Sequence, residues 1–399
     1  MRIFISTGEV SGDLQGSLLI AALERQAQVV GLELDIAALG GDRMAACGAT
    51  LVGNTMRIAA FGLLETIPYI VPTLQIQSKA IAYLKQNPPD VLVLIDYMGP
   101  NLAIGNYVRR HLANVPIVYY IAPQVWVSNI TARDTDNVIN VCDKLLAIFP
   151  TEAEYFQGKN ANVTWVGHPL VDRMQEFPSR EAARKQLEIA DDTISIALLP
   201  ASRPQELKYL LPVMFETAKA LQEKLPQAHF WIPLSLEMYR DKVEKAIQAY
   251  GLRATIISTQ QKEVLAAADL AITKSGTVNL ELAILNVPQV VLYRLSPFTY
   301  WVAMKVLKMT FDYASPVNLV AMREIVPEFI QHRATPTNLI SAAMELLLNP
   351  ERKQQLIADY REMQASLGEL GVCDRAAKEI FQLANRQSQI PDFSKKSGI

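Results

Sequence analysis

The chain has 399 residues, half of them apolar, with 40 acidic against 38 basic side chains. That near balance argues against a nucleic-acid binder, which carries a basic excess or stripe, and no apolar run reaches the ~18 residues that span a bilayer. The opening apolar stretch is too short for a signal peptide, and the three cysteines (Cys47, Cys142, Cys373) show no disulfide or zinc spacing, so a soluble cytoplasmic protein of two or three domains is expected.

In chain order, apolar runs read as strands at 2–6, 34–40, 90–96, 115–121, 144–149 and 162–166, then at 193–199, 228–234, 253–258, 268–273 and 288–293. They are continuously apolar rather than alternating, as in parallel strands covered on both faces. Segments such as 207–224 and 236–249 are long enough for crossover helices. The alternation predicts an α/β protein of two doubly wound, Rossmann-like parallel-sheet domains facing a cleft. The first covers 1–170, a polar linker 171–192, and the second 193–349, with further helices over 350–386 and a polar tail over 387–399.

The loop "STGEVSGDLQGS" (6–17) combines glycines spaced by four with two acids, Glu9 and Asp13, where a phosphate loop avoids negative charge. One reading is a tight turn, with Ser11 or Asp13 capping a helix that begins near Asp13. The other sets both carboxylates toward a neutral, hydroxyl-bearing group. Asp96 ends the run 90–96, at the edge of a parallel sheet where an acid or base is useful, although aspartate there also serves as a turn or cap residue.

In the second half, "PASRPQE" (200–206) offers Ser202 and Arg203, and arginine makes bidentate, charge-assisted contacts to phosphate. "KSGTVNLEL" (274–282) offers Ser275, Gly276 and Thr277 at a helix start, with Glu281 one turn in and suited to ribose hydroxyls. A capped turn explains either stretch alone. Both together, each after a strand, point to a nucleotide-diphosphate site. His168 is isolated in sequence, His111, His229 and His332 have no ligand spacing, and no metal site is expected. In 297–309, Phe298, Val302, Val306 and Met309 form one helical stripe, bordered by Trp301, Lys305 and Lys308. Such a helix either enters a lipid headgroup layer or lies in the core with snorkelling lysines.

Taken in order, "GEVSGD", "FGLLE", "IDYMGPN", "APQVW", "FPTEAEYF", "VGHPL", "LLPASRPQE", "SGTVNLE", "YRLSPFTYWVAMKVLK", "SPVNLVA" and "VPEFIQ" span about residues 1 to 350, and the set resembles the lipid-A-disaccharide synthase family of GT-B glycosyltransferases. The resemblance implies transfer of 2,3-diacylglucosamine from its UDP derivative onto 2,3-diacylglucosamine 1-phosphate. It implies a β-1,6 linkage made with inversion, no metal or redox cofactor, and work at the inner face of the cytoplasmic membrane. Carried over by motif, Glu9 and Asp96 are the important carboxylates, with Asp96 favoured as base. Ser11, Gly12 and Asp13 fall on the acceptor side. Ser202, Arg203, Ser275, Gly276, Thr277, Glu281 and Asn318 serve the UDP-sugar.

The resemblance also makes 350–386 a candidate to cross back to the first domain and leaves a homodimer open. Two departures fall on the acceptor side, Gly99 where the family has a second aspartate and Tyr119 or Tyr120 where it has a histidine, and in the second half Ala201 stands where "PGSR" is usual. The rival readings are a GT-B transferase with another lipid or sugar acceptor, a degenerate membrane-associated scaffold and, last, an oxidoreductase, which lacks its glycine fingerprint here.

Overall fold

Val91–Ile95 is a run of five buried aliphatic residues, which only a strand covered on both faces accommodates. In the computed structural model, which describes residues 1–56, 67–126, 132–200, 204–234, 237–306 and 313–388, this run is the middle strand of a seven-stranded parallel sheet. The chain divides into two compact units, Met1–Asp172 with Leu367–Ile399, and Arg173–Ser366.

The first unit runs β1 (Arg2–Ser6), α1 (Val10–Val30), β2 (Asp35–Gly40), α2 (Asp42–Ala46), β3 (Thr50–Asn54), α3 (Ile70–Gln86), β4 (Val91–Ile95), α4 (Met98–His111), β5 (Ile117–Tyr120), α5 (Ala132–Val141), β6 (Lys144–Ala147), α6 (Pro150–Gln157), β7 (Val163–Trp165) and α7 (Leu170–Arg173). Its strand order is β3-β2-β1-β4-β5-β6-β7, all parallel. Phe4, Leu92, Leu94, Ile117 and Tyr119 belong to one buried cluster beneath the helices.

The second unit runs α8 (Arg180–Gln186), β8 (Ile194–Leu199), α9 (Pro204–Lys224), β9 (Ala228–Pro233), α10 (Arg240–Tyr250), β10 (Ala254–Ile257), α11 (Gln261–Ala267), β11 (Leu270–Lys274), α12 (Val278–Ile284), β12 (Gln289–Tyr293), α13 (Pro297–Trp301), α14 (Pro316–Ala321), β13 (Glu328–Ile330), α15 (Pro336–Leu348) and α16 (Pro350–Ala365). Its parallel sheet has the order β10-β9-β8-β11-β12-β13. Both units are doubly wound, as the alternation predicts. Each reverses strand order once, between β1 and β4 in the first and between β8 and β11 in the second, and these are the points where open α/β sheets bind ligands.

The stretch expected as a linker is folded. α8 is capped by Ser179, whose Oγ accepts from the Ala182 amide at 3.2 Å, and it packs on α11. Arg180 and Arg184 both reach Asp269, at 2.6 and 3.4 Å. The charged residues of this stretch are thus the outer face of a short helix of the second unit.

After α16 the chain returns to the first unit, where α17 (Val372–Ser388) packs on α1 and Arg25 meets Asp374 at 2.9 Å. The return is pinned at its start. The His168 amide donates to the Leu367 carbonyl at 2.7 Å, and Arg375 sends two N–H groups to the Val166 carbonyl at 3.0 and 2.9 Å. Gly167 has φ +93°, and a Cβ there would stand 2.9 Å from the Leu367 carbonyl oxygen, so a side chain is excluded both by conformation and by space. Asp172 caps α17, accepting from the amides of Gly371 (2.6 Å), Val372 (3.2 Å) and Cys373 (2.8 Å). The tail expected from 387 begins inside α17, and 389–399 lie outside the described residues. The cysteines are free thiols. Among the described residues no helix is long and apolar enough to cross a membrane.

Candidate functional site

The loop after β1 meets the loop after β4 at the first unit's reversal of strand order. α1 begins at Val10, three residues before the expected start, so Ser11, Gly12 and Asp13 lie in its first turn and neither Ser11 nor Asp13 caps it. Glu9 is the boundary residue, extended at φ −128°, ψ 157° and half-buried.

Asp13, expected on the acceptor side, is engaged by the protein's own backbone. Its carboxylate is buried and accepts the amides of Gly41 (2.8 Å), Met44 (3.2 Å) and Arg43 (3.3 Å), so it holds the start of α2. The glycines serve close packing rather than phosphate. A Cβ on Gly8 would lie 1.9 Å from the Tyr97 ring, and one on Gly12 1.8 Å from Thr7 Oγ1.

At the end of β4 two consecutive non-glycine residues are left-handed, Asp96 (φ 46°) and Tyr97 (φ 49°). Such backbone costs about 1–3 kcal/mol per residue and persists only where its surroundings over-determine it. The surroundings here are specific. The Asp96 amide donates to the Ile121 carbonyl at 2.9 Å, and its carbonyl accepts from Asn101 Nδ2 at 2.7 Å and from the Tyr119 hydroxyl at 2.9 Å. Fully buried Asn101 also reaches the carbonyls of Ile95 (3.0 Å) and Ser6 (3.2 Å), and its Oδ1 accepts from Ser6 Oγ at 2.7 Å. One side-chain amide thus ties β1 to β4 where the half-buried Asp96 carboxylate emerges. Sequence reasoning quoted Asn101 within "IDYMGPN" without assigning it; its position five residues past the aspartate, on the helix that follows, was the available signal.

The departures divide in the same region. Tyr119 and Tyr120 are fully buried, and Tyr119 supports the Asp96 peptide from below, whereas Gly99 is exposed on the first turn of α4. Glu152, inside the quoted "FPTEAEYF", is a second carboxyl that the sequence did not single out. It is 1% exposed, and its Oε2 accepts the amides of Ile148 (2.8 Å) and Phe149 (3.3 Å). Burial pushes its pKa up to about 8, against the pull of those amides and with a further push from Asp96. It is therefore held neutral beside an aspartate. His168 is buried, pushed down to about 3 by burial, and its Nδ1 accepts from the Leu170 amide at 3.2 Å. It is a neutral, structural histidine.

In the second unit, Ser202 and Arg203 fall outside the described residues. The other predicted residues gather around the carboxyl ends of β11 and β12. Ser275 Oγ donates to the Ala314 carbonyl at 2.5 Å, and the Gly276 amide donates to Asn279 Oδ1 at 2.8 Å. Thr277 precedes α12 as its boundary residue, without side-chain capping. Lys274 stands beside this turn: a Cβ on Gly276 would lie 3.4 Å from its Nζ. The cation was in the quoted "KSGTVNLEL" but was not assigned.

Asn318, expected to serve the UDP-sugar, is bonded within its own unit. It is fully buried, its Nδ2 donates to the Val326 carbonyl (2.9 Å) and Glu328 (3.0 Å), and its Oδ1 accepts the amides of Ile325 (2.8 Å) and Val326 (2.9 Å). Glu328, whose pKa is raised by burial, in turn accepts the amides of Ala314 (2.9 Å) and Ser315 (2.8 Å). Ser275 and Asn318 thus belong to one network, joined through Ala314 and Glu328. Glu281, one turn into α12, is 6% exposed and ion-paired with Arg173.

Of the segment expected to face lipid, 297–306 are described. α13 covers Pro297–Trp301, is capped by Ser296 at 3.2 Å from the Thr299 amide, and continues as a turn of π-helix over Val302–Val306. Phe298 is 48% and Trp301 55% exposed, with Met304 and Lys305 exposed beside them. Lys308 and Met309 lie outside the described residues. In the first unit, α3 exposes Ile70, Val71 and Leu74, a patch that the sequence reading did not mark. Among the described residues no three His, Cys, Asp or Glu side chains form a metal-holding group.

The family model for lipid-A-disaccharide synthetase matches residues 3–382. The lipid-A-disaccharide synthase of Gloeothece citriformis (strain PCC 7424) is 57% identical over 381 residues, covering 96% of this chain and 99% of that protein. That of Synechocystis sp. (strain ATCC 27184 / PCC 6803 / Kazusa) is 52% identical, covering 98% and 99%. Among solved structures, S. aureus MnaA in its co-structure with UDP matches with a TM-score of 0.65 at 15% identity, covering 98% of each chain, a likeness of fold alone. A full-length family match, close relatives over nearly every residue and two doubly wound sheets of GT-B type agree: the chain belongs to the lipid-A-disaccharide synthase family.

Proposed function

We propose that this protein transfers a 2,3-diacylglucosamine unit from its UDP derivative to the 6-hydroxyl of 2,3-diacylglucosamine 1-phosphate, releasing UDP. The observation that carries the reading is that family motifs flank both reversals of strand order: Glu9 and Asp96 follow β1 and β4, and 274–281 follows β11. In the reaction the acceptor oxygen forms a bond to the donor's anomeric carbon from the face opposite UDP. The bond from that carbon to the diphosphate breaks, and UDP leaves with the electron pair.

Asp96 takes the acceptor proton. Its left-handed peptide, clamped by Asn101 and Tyr119, supports this role because a base must be held within hydrogen-bond reach of the hydroxyl. Glu152, kept neutral by burial, supports it too, since it adds no second negative charge to oppose ionisation of Asp96. Arg203, Lys274 and the turn 275–277 take the diphosphate, and Glu281 takes the ribose; leaving-group charge is stabilised by these donors without a metal. Exposed Phe298, Trp301 and Lys305 support work on the inner face of the cytoplasmic membrane, where both lipid substrates reside.

The test is UDP release from the purified protein given UDP-2,3-diacylglucosamine, with and without diacylglucosamine 1-phosphate. Acceptor-dependent release with a disaccharide product by mass spectrometry is expected. Donor binding without acceptor-dependent release would assign a different acceptor. Neither binding nor release would leave a scaffold.

A further inference from the structure

Glu281 already has one carboxylate oxygen engaged by the protein itself. Its side chain is 8% exposed, that of Arg173 15%, and the Arg173 Nη1 donates to its Oε1. The same guanidinium lies 5.4 Å over the ring of Phe177, so it is seated rather than loosely paired. A pair this buried differs from a surface ion pair: removing one partner leaves the other a desolvated charge. Ribose hydroxyls bind an acidic residue by donating to its oxygens, and one of those oxygens, Oε1, already accepts from the guanidinium.

We propose that Arg173 is a built-in competitor of the donor's ribose for the Glu281 carboxylate, exchanging off it when the diol binds. The inference rests on the donor reading above and adds a residue to it. Arg173 neutralises the carboxylate, keeps it buried in one orientation, and sets a threshold that only a hydroxyl-bearing sugar at that point can cross. Measured donor affinity is then the site's own affinity reduced by the exchange, as for any protein whose competent state is a fraction of the population. The position of Arg173 adds a consequence: it directly follows Asp172, whose carboxylate caps α17, so the exchange takes place one residue from the point where the chain leaves the first unit.

Calorimetric titration of the full chain with UDP and with 2′-deoxy-UDP tests this. Arg173→Met should bind UDP roughly tenfold tighter, the scale of one charge-assisted hydrogen bond no longer displaced, and should gain less toward 2′-deoxy-UDP. A general loosening of the fold would move both ligands alike. Arg173→Lys keeps the charge without the planar fork and should shift affinity in the same direction by about twofold to threefold, which serves if the methionine variant folds poorly. Glu281→Gln should lose most of the preference for UDP over 2′-deoxy-UDP. If the unaltered protein binds UDP and neither arginine variant binds it more tightly, the exchange is wrong while the donor site stands. If the unaltered protein binds no UDP, the donor reading fails and takes the exchange with it.

Discussion

The two reversals of strand order are built by opposite means. In the first unit the backbone is preset: Asp96 and Tyr97 are held left-handed by an uncharged, fully buried amide, and the carboxylate is left half-buried at the edge. In the second unit the polar side chains bind one another. Ser275 meets Ala314, the Gly276 amide meets Asn279, Asn318 meets Glu328, and Glu281 meets Arg173. The difference teaches that a group required for proton transfer can be fixed before substrate arrives, because its geometry must not vary. The buried polar groups of the second unit satisfy one another instead, since unpaired buried polar groups cost about 1–3 kcal/mol each.

The largest effect that separates the two regions is expected from Asp96→Asn. Turnover should fall about a thousandfold, within the range for a lost general base, and the Asn101 and Tyr119 clamps on the residue's backbone, which asparagine keeps, should leave the variant folded. Steady-state kinetics beside a melting curve checks this, and a folded variant with full turnover would move the base to Glu9 or elsewhere.

Glu152→Gln sharpens the comparison through stability. The folded protein keeps the Glu152 proton up to about pH 8, whereas an unfolded glutamate releases it near 4.5. Glu152 thus contributes stability below that lower value, and the contribution is lost as pH rises toward 8. The glutamine variant lacks this loss. Between pH 5 and 7 it should gain on the parent by roughly 2–3 kcal/mol, read by denaturant melts at several pH values. Parallel pH profiles would mean that Glu152 is already ionised in the folded state.

The smallest effect is expected from Trp301→Glu. The side chain is 55% exposed, so folding should be insensitive, while binding to anionic vesicles should weaken by about 1–2 kcal/mol and UDP affinity stay unchanged. Unaltered vesicle binding would return this segment to ordinary surface.

Much of the fold is legible because buried parallel strands are continuous apolar runs. β3 and β13 are not: "TLVGN" carries Gly53 and "EFI" is three residues led by a charge, and both are edge strands whose signal is correspondingly weak. The start of α1 was misread because neither Glu9 nor Val10 looks like a cap, while Ser11 and Asp13 do.

For the site, the positions were legible and the partners were not. Asp96 and 274–281 could be placed at strand ends from the apolar pattern alone. Nothing local tells that Asp13 holds amides 28 to 31 residues away, or that Glu281 meets an arginine 108 residues away. Those pairings are properties of the assembled unit, and they decide whether a polar residue faces a ligand or the protein itself.

The central claim is that proton transfer and donor binding belong to different units, and a UDP titration of Asp96→Asn tests it most directly. The account predicts UDP affinity within about twofold of the parent alongside the thousandfold loss of turnover, since a base that acts only in the transition state adds nothing to ground-state binding of the nucleotide. UDP affinity that falls in step with turnover would contradict it and place Asp96 among the groups that hold the donor.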